Sequence, residues 1–345
     1  MTIFYFDFLK FLAILAVVVL HVNAHFLNQF TILASNSDRV SVIVFDCLTR
    51  FCVPMFFLIS GSLLLGRKEK IKIFFNKRLK RLFGPFIFWS IFYFFWAQKN
   101  INFSWKFFSF IIYPTYYHLW FGYALILIYF LWPILKKFVN FSSRKQLKIL
   151  LLFSSFTLIY FFYYPNSIIW LAYNFYSLYF LWGYYLNQLR IKKFNFKLSW
   201  LFLFIALICQ IIVSILYNFK NLSSNSYYRE YFNLFTFVVS LNLFLIFKNF
   251  LFDQKFSLKI KKILSLVASK SLGIYFIHVF IMDLFFLNNF KLSFLPRIFA
   301  IPILSILIFL ISFLIVIFFG YFQSKLLHGS KKFFNFVKFF LKKHF

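Results

Sequence analysis

Several common devices of enzyme chemistry are missing from this chain. No Gly-rich phosphate loop of the Walker or Rossmann type occurs in its 345 residues. The G-x-S-x-G pattern is absent as well, so Ser60-Gly61 is not a nucleophile elbow, and its small residues read as a close helix-packing point. Cysteine is scarce: Cys47, Cys52 and Cys209 all lie in apolar segments with no C-x-x-C or ligand spacing. They read as buried, inert thiols, and no metal is expected. No internal repeat is apparent, which weakens an inverted-repeat transporter. The N-terminus has no small-residue cleavage site and carries Asp7 and His21, so it reads as a first membrane span and not as a cleavable signal. No soluble domain is visible; the longest polar stretches are the basic loop 66–81, the loop 99–117 and the end of the chain after Tyr321.

What is present is apolar. Hydrophobic residues make up 63% of the chain, in repeated runs of a length that spans a bilayer and exceeds what a soluble core requires. Ten spans are expected, near 9–30, 41–65, 82–98, 118–135, 149–164, 168–187, 199–217, 230–247, 263–287 and 298–320. The fold class is therefore all-α, a polytopic integral membrane protein with about ten transmembrane helices. The formal charge of +31 follows from 38 basic against 7 acidic residues. With the N-terminus in the cytoplasm, that side holds Lys10, eight cations in 67–81, five in 136–148, four in 190–197, five in 248–262 and six after 320, together 29. The opposite side, Arg50 included, holds eight, and Lys270 lies just inside the ninth span. The positive-inside rule then places both termini in the cytoplasm, with anionic lipid headgroups as the partners of most of this charge. No aromatic-basic module stands outside the spans, so nucleic acid is not an expected partner. Residues 1–322 form the expected membrane core. Residues 323–345 alternate Phe with Lys at helix-compatible spacing and read as a basic amphipathic cytoplasmic tail on the inner leaflet. Prolines mostly mark span ends; Pro54, inside the second span, predicts a kink or local unwinding.

Ionisable residues inside spans carry the functional signal, because each is costly at that depth. Lys10 and His21 are eleven residues apart in DFLKFLAILAVVVLH. That spacing returns to within about 20° of the same helix face and advances roughly 16 Å along the axis. Lys10 is thus expected at the cytoplasmic mouth and His21 near the bilayer midplane, with Asp7 on the same stripe as a partner for Lys10. A histidine titrates near neutrality and has two distinct nitrogens, which suits a general base. A salt-bridged helix start with a structurally bonded histidine fits the same residues. His25, nearer the outer surface, reads as a surface or packing residue. In span two, Asp46 and Arg50 at i,i+4 either neutralise each other or let Arg50 line a cavity and stabilise negative charge. Arg78 and Arg81 share a helix face as span three begins; they suit the phosphates of a nucleotide-like donor, although positive-inside charge alone yields such a run. His118 and Trp120 open span four in an aromatic stretch that reads as an interfacial belt or a sugar-binding platform. His278 in SLGIYFIHVFIMD is a costly group like His21, with cavity and structural roles equally open.

The segments DFLKFLAILAVVVLH, TRFCVPMFFLISGSLL, RLKRL, YHLWFGYALILIYFLWPIL and SLGIYFIHVFIMD, in this order, resemble the membrane-bound acyltransferase family 3. The likeness is strongest to its enterobacterial common antigen O-acetyltransferase branch. Residues 150–260 match only in hydropathy. The resemblance implies a ten-helix core in the inner membrane that moves acetyl groups from cytoplasmic acetyl-CoA to hydroxyls of an extracytoplasmic polysaccharide or its lipid-linked precursor. It also implies His21 as catalytic residue, Lys10 as its support and Arg78 with Arg81 as CoA-binding residues. From their own placement, Asp7, Arg50 and His278 are expected to support the cavity, and His118 and Trp120 to lie on the acceptor side. Where the family often has arginine this chain has Lys10, a compact charge in place of a planar fork. The extra soluble domain of many relatives is missing from this sequence. A flippase for a lipid-linked glycan is the rival from another class, and a succinyl or other acyl group an alternative within the family. Acceptor sugar and oligomeric state, a homo-oligomer included, stay open.

Overall fold

A computed structural model describes residues 4–33, 35–97, 113–163, 169–189, 195–221, 230–252, 256–288, 290, 292 and 294–344, with backbone alone for 156–163, 169–175 and 321–344. Among the described residues eleven α-helices follow one another: α1 (Phe4–Leu27), α2 (Asn36–Thr49), α3 (Cys52–Leu64), α4 (Ile71–Ala97), α5 (Trp120–Phe141), α6 (Arg144–Tyr163), α7 (Ile169–Gln188), α8 (Phe196–Asn221), α9 (Leu234–Phe252), α10 (Leu258–Leu287) and α11 (Arg297–His344). No strand occurs among the described residues. Among the described residues seven segments are long and apolar enough to cross a membrane: α1, α2 with α3, α5, α8, α9, α10 and α11 as far as Gly320. Helices α4, α6 and α7 lie at the positions of the three remaining expected spans.

Expected span two is two helices. Pro54 has no N–H to give the Arg50 carbonyl and its ring crowds that oxygen, so the ladder breaks one turn before it, at Arg50 and Phe51. Three other prolines depart from the expected placement at span ends. Pro85, Pro133 and Pro302 lie inside α4, α5 and α11. For Pro85 the reason is that α4 begins at Ile71, a full eleven residues before the expected span, so the basic run is helical and Arg78 and Arg81 are part of α4. Helix α11 likewise continues to His344, through the expected boundary at 322. The side chains of that tail and most of the loop 99–117 lie outside the described residues.

Helix α1 is central, packing on α2, α3, α9, α10 and α11. The interior is visible in burial: 61% of the apolar window of α1 and 72% of that of α2–α3 are buried, against 28% for α8, whose Leu201, Phe204, Ile208 and Ile212 face outward as a lipid-exposed helix requires. The tightest pairing is α3 on α7. A Cβ at Gly61 would collide with the backbone carbonyl of Phe180, and one at Gly183 with that of Leu58, so the two glycines admit each other's helix. The Ser62 hydroxyl lies in the same contact, 2.6 Å from the Gly183 carbonyl. Close backbone approach through small residues is how helices associate where the surrounding solvent is itself apolar.

The C-terminus of α7 is capped by cations from other helices. Lys248 of α9, 4% exposed, donates to the carbonyls of Leu186, Asn187 and Leu189 at 2.8–3.0 Å. Arg144 donates to the Gln188 carbonyl at 3.0 Å, and Tyr5 of α1 to the Asn187 side chain at 2.6 Å. Helix-terminal carbonyls carry partial negative charge and no intrahelical donor, so they favour cations. Lys248→Met keeps the aliphatic stem and leaves these carbonyls bare. It is expected to destabilise the protein by about 2–4 kcal/mol, read as a lowered melting temperature of the detergent-solubilised protein against an exposed control, Lys259→Met.

Candidate functional site

A cavity of about 590 Å³ lies between α1, α3, α4, α5 and α10. Chain direction sorts its lining. Helix α1 enters with Asp7 and Lys10 and reaches His21 three turns later. Helix α3 runs back the other way, so Arg67, just past its end, returns to the Lys10 level. Helix α4 starts from there and adds Arg78 and Arg81. One mouth thus holds Lys10, Arg67, Arg78 and Arg81 with Asp7 among them. The walls between are Val17, Leu20, Val53, Phe56, Ile59 and Leu63. The far end holds His21, His118, Trp120, Tyr231 and Tyr275. No ion pair among the described residues joins Asp7 to Lys10; both contribute to the mouth separately.

Glu69 organises the rim. It bonds Lys77 at 3.0 Å and approaches Arg78 at 3.8 Å, while Lys136 donates to its carbonyl. The Lys77 hydrogen bond holds the Glu69 carboxyl below its ordinary range, so it is an anion beside Arg78 at neutral pH.

At the far end three imidazoles converge. Ring centroids of His21 and His278 are 5.0 Å apart, those of His118 and His278 5.7 Å and those of His21 and His118 6.3 Å. His21 is partly open to the cavity; His278 is fully buried behind it and is not part of the lining. His118, 1% exposed, sits in the short 3₁₀ turn Tyr117–Leu119 that opens α5, with its carbonyl held by the Tyr275 hydroxyl at 2.5 Å. Tyr116 fastens the turn from outside, donating to Asp283 at 2.6 Å beside the Trp96 indole at 3.1 Å; burial and that carboxylate raise the Tyr116 hydroxyl, which stays a donor.

The sequence-expected residues divide accordingly. Lys10, Asp7, His21, Arg78, Arg81, His118 and Trp120 line one cavity. Trp120 packs between Tyr176 and Tyr231, each at 5.6 Å, as part of the cavity wall and not as an open platform at the surface. Arg50 stands off the lining. It forms a bidentate pair with the fully buried Asp46 at 2.9–3.1 Å and stacks over the Tyr231 ring at 5.4 Å. The pairing is the one its i,i+4 spacing allows, and it is Tyr231, not Arg50, that lines the cavity. His25 is a packing residue, stacked on Phe286 at 3.7 Å. No disulfide joins the cysteines among the described residues, and Cys47 lies against the Ser214 hydroxyl at 3.8 Å. Arg67, Tyr129, Tyr231 and Tyr275 line the cavity and were not singled out in the sequence. Arg67 had a signal, as the first cation after an apolar span; the tyrosines were three among 21 and had none.

The arrangement offers cations to an anionic group at one end and imidazoles at the other, joined by an apolar passage. A family model described as an acyltransferase domain, of the acyltransferase 3 type, matches residues 3–321. No curated protein and no solved structure matches the chain.

Proposed function

The chain belongs to the acyltransferase 3 family, and on that premise we propose that it is an inner-membrane O-acetyltransferase with ten spans and both termini cytoplasmic. Acetyl-CoA is the donor, and the acceptor is a hydroxyl of an extracytoplasmic polysaccharide or its lipid-linked precursor. The observation that carries the reading is the single cavity that joins four cations to a partly open histidine. CoA bears several phosphate charges that cannot enter lipid, so it binds where cations stand at the positive-inside face. Guanidinium forks at Arg67, Arg78 and Arg81 match phosphate oxygens, and Lys10 adds a point charge. The apolar walls take the pantetheine arm, which brings the thioester to His21.

Transfer is direct in this reading. His21 takes the proton of the acceptor hydroxyl as its oxygen bonds to the thioester carbonyl carbon. The tetrahedral intermediate collapses with cleavage of the C–S bond, and the proton held on His21 passes to the departing CoA thiolate, which returns His21 to its neutral form as CoA-SH leaves toward the cationic mouth. His118 and Trp120, on the lining near His21, contact the acceptor.

Membrane vesicles given labelled acetyl-CoA test this by label reaching glycan. Arg78→Ala/Arg81→Ala is expected to raise the apparent KM for acetyl-CoA about 10- to 100-fold, the size of one or two lost charge-assisted hydrogen bonds, with kcat little changed. A fall in kcat at unchanged KM removes the arginines from donor binding. Label from succinyl-CoA but not acetyl-CoA changes the acyl group and leaves the site as assigned. Glycan translocation without labelling favours a flippase.

A further inference from the structure

His278 has an environment that fixes its tautomer. Its Nδ1 lies 2.8 Å from the Tyr275 carbonyl and 3.1 Å from that of Ile274. Both are acceptors only, so Nδ1 carries the proton and Nε2 carries the lone pair. The site is built by α4: the Tyr93 hydroxyl enters the α10 ladder at the same turn, donating to the Phe276 carbonyl at 2.8 Å and accepting from the Phe280 N–H at 3.0 Å. The Tyr93 hydroxyl thus bridges the Phe276 carbonyl and the Phe280 N–H in the turn that carries His278. The Nε2 atom is fully buried and meets no hydrogen-bond partner. A buried acceptor left bare costs free energy, so its direction has a purpose or a penalty. The nearest ring is His21, at 5.0 Å between centroids; His118 is farther.

We propose that His278 is the positioning residue of the reaction: its Nε2 accepts the N–H of His21 and so leaves the other His21 nitrogen, facing the cavity, as the lone pair that takes the acceptor proton. A small turn of the His21 ring closes the contact, as catalytic hydrogen bonds tighten when substrate binds. The tautomer of the base is then set by two backbone carbonyls through a neutral imidazole, with no carboxylate needed. The role rests on His21 acting as the base in the proposed function.

Turnover in labelled acetyl-CoA vesicles decides it. His278→Phe keeps the ring volume and removes the acceptor; kcat is expected to fall by roughly 10²-fold, the cost of misplacing a catalytic group, with KM for acetyl-CoA unchanged. His278→Gln places an amide oxygen where Nε2 was and restores most of the loss. Wild-type turnover in His278→Phe overturns the role, as does equal loss in both variants when they melt at the wild-type temperature in detergent. If the Phe variant fails to fold, His278→Asn replaces it. Asn keeps a donor for the carbonyls but has nothing at the Nε2 position, and turnover equal to that of His278→Gln again overturns the role. His21→Ala run alongside separates the two readings. Activity surviving there defeats the proposed function itself, whereas its loss beside an unaffected His278→Phe defeats only this inference.

Discussion

His21→Ala lowers acyl transfer by about 10²- to 10⁴-fold, the range that a positioned general base contributes. The expected signature is a fall in kcat with the KM for acetyl-CoA near its wild-type value, because the cations proposed to hold the donor are at the other end of the cavity. Folding is not expected to suffer. His21 is only partly buried, so truncation enlarges an existing cavity instead of opening a new one. Measuring the initial rate of label transfer over a range of acetyl-CoA concentrations separates the two constants. A large rise in KM with unchanged kcat places His21 in donor binding and removes it as the base. Transfer at the wild-type rate leaves the cavity without its proposed chemistry.

Gly183→Val has an effect of the other kind. The added side chain meets the Leu58 carbonyl, which is backbone and cannot rotate away, so α3 and α7 must separate. Separation strips the Ser62 hydroxyl of its bond to the Gly183 carbonyl and parts the stacked rings of Phe57 and Tyr176. Overpacking alone costs about 1–3 kcal/mol, and the parted interface adds to it, so folded protein is expected to be largely lost. Gly84→Ala is the control. Nothing lies within 4 Å of a Cβ there, and in the middle of α4 alanine gains about 1 kcal/mol of helix propensity. Detergent-extracted protein on a sizing column reads both. A monodisperse, wild-type-like yield from Gly183→Val means the reciprocal contact is not a determinant of the fold.

Much of this architecture was legible because hydropathy and chain length dictate where a chain in lipid must be helical. Each expected span coincides with a helix or, for the second, with a helix pair whose break follows from Pro54. The helix spacing of Lys10 and His21 placed both on one face, and both line one cavity. Spacing within one helix does not report what a neighbouring helix covers. Arg50 was legible as a partner of Asp46 but not as screened by Tyr231, which comes from a segment 181 residues later in the chain. Trp120 read as an interfacial aromatic, and only the packing of Tyr176 and Tyr231 on it makes it a wall. The insertion of Tyr93 into α10 has no sequence signature at all. It depends on where α4 crosses α10.

The capped end of α7 bears on how the chain's charge is to be counted. Lys248 and Arg144 are among the cations counted for the expected orientation, yet carbonyls at the end of another helix take three bonds from Lys248 and one from Arg144. Before α7 and α9 meet, a positive-inside signal from both charges is expected to be at its fullest. After assembly Lys248 is hidden and no longer contributes to the surface potential. If the expected orientation holds, one side chain serves twice in succession, first as a topological signal and then as a fastening, and its removal is felt in biogenesis before it is felt in the finished protein.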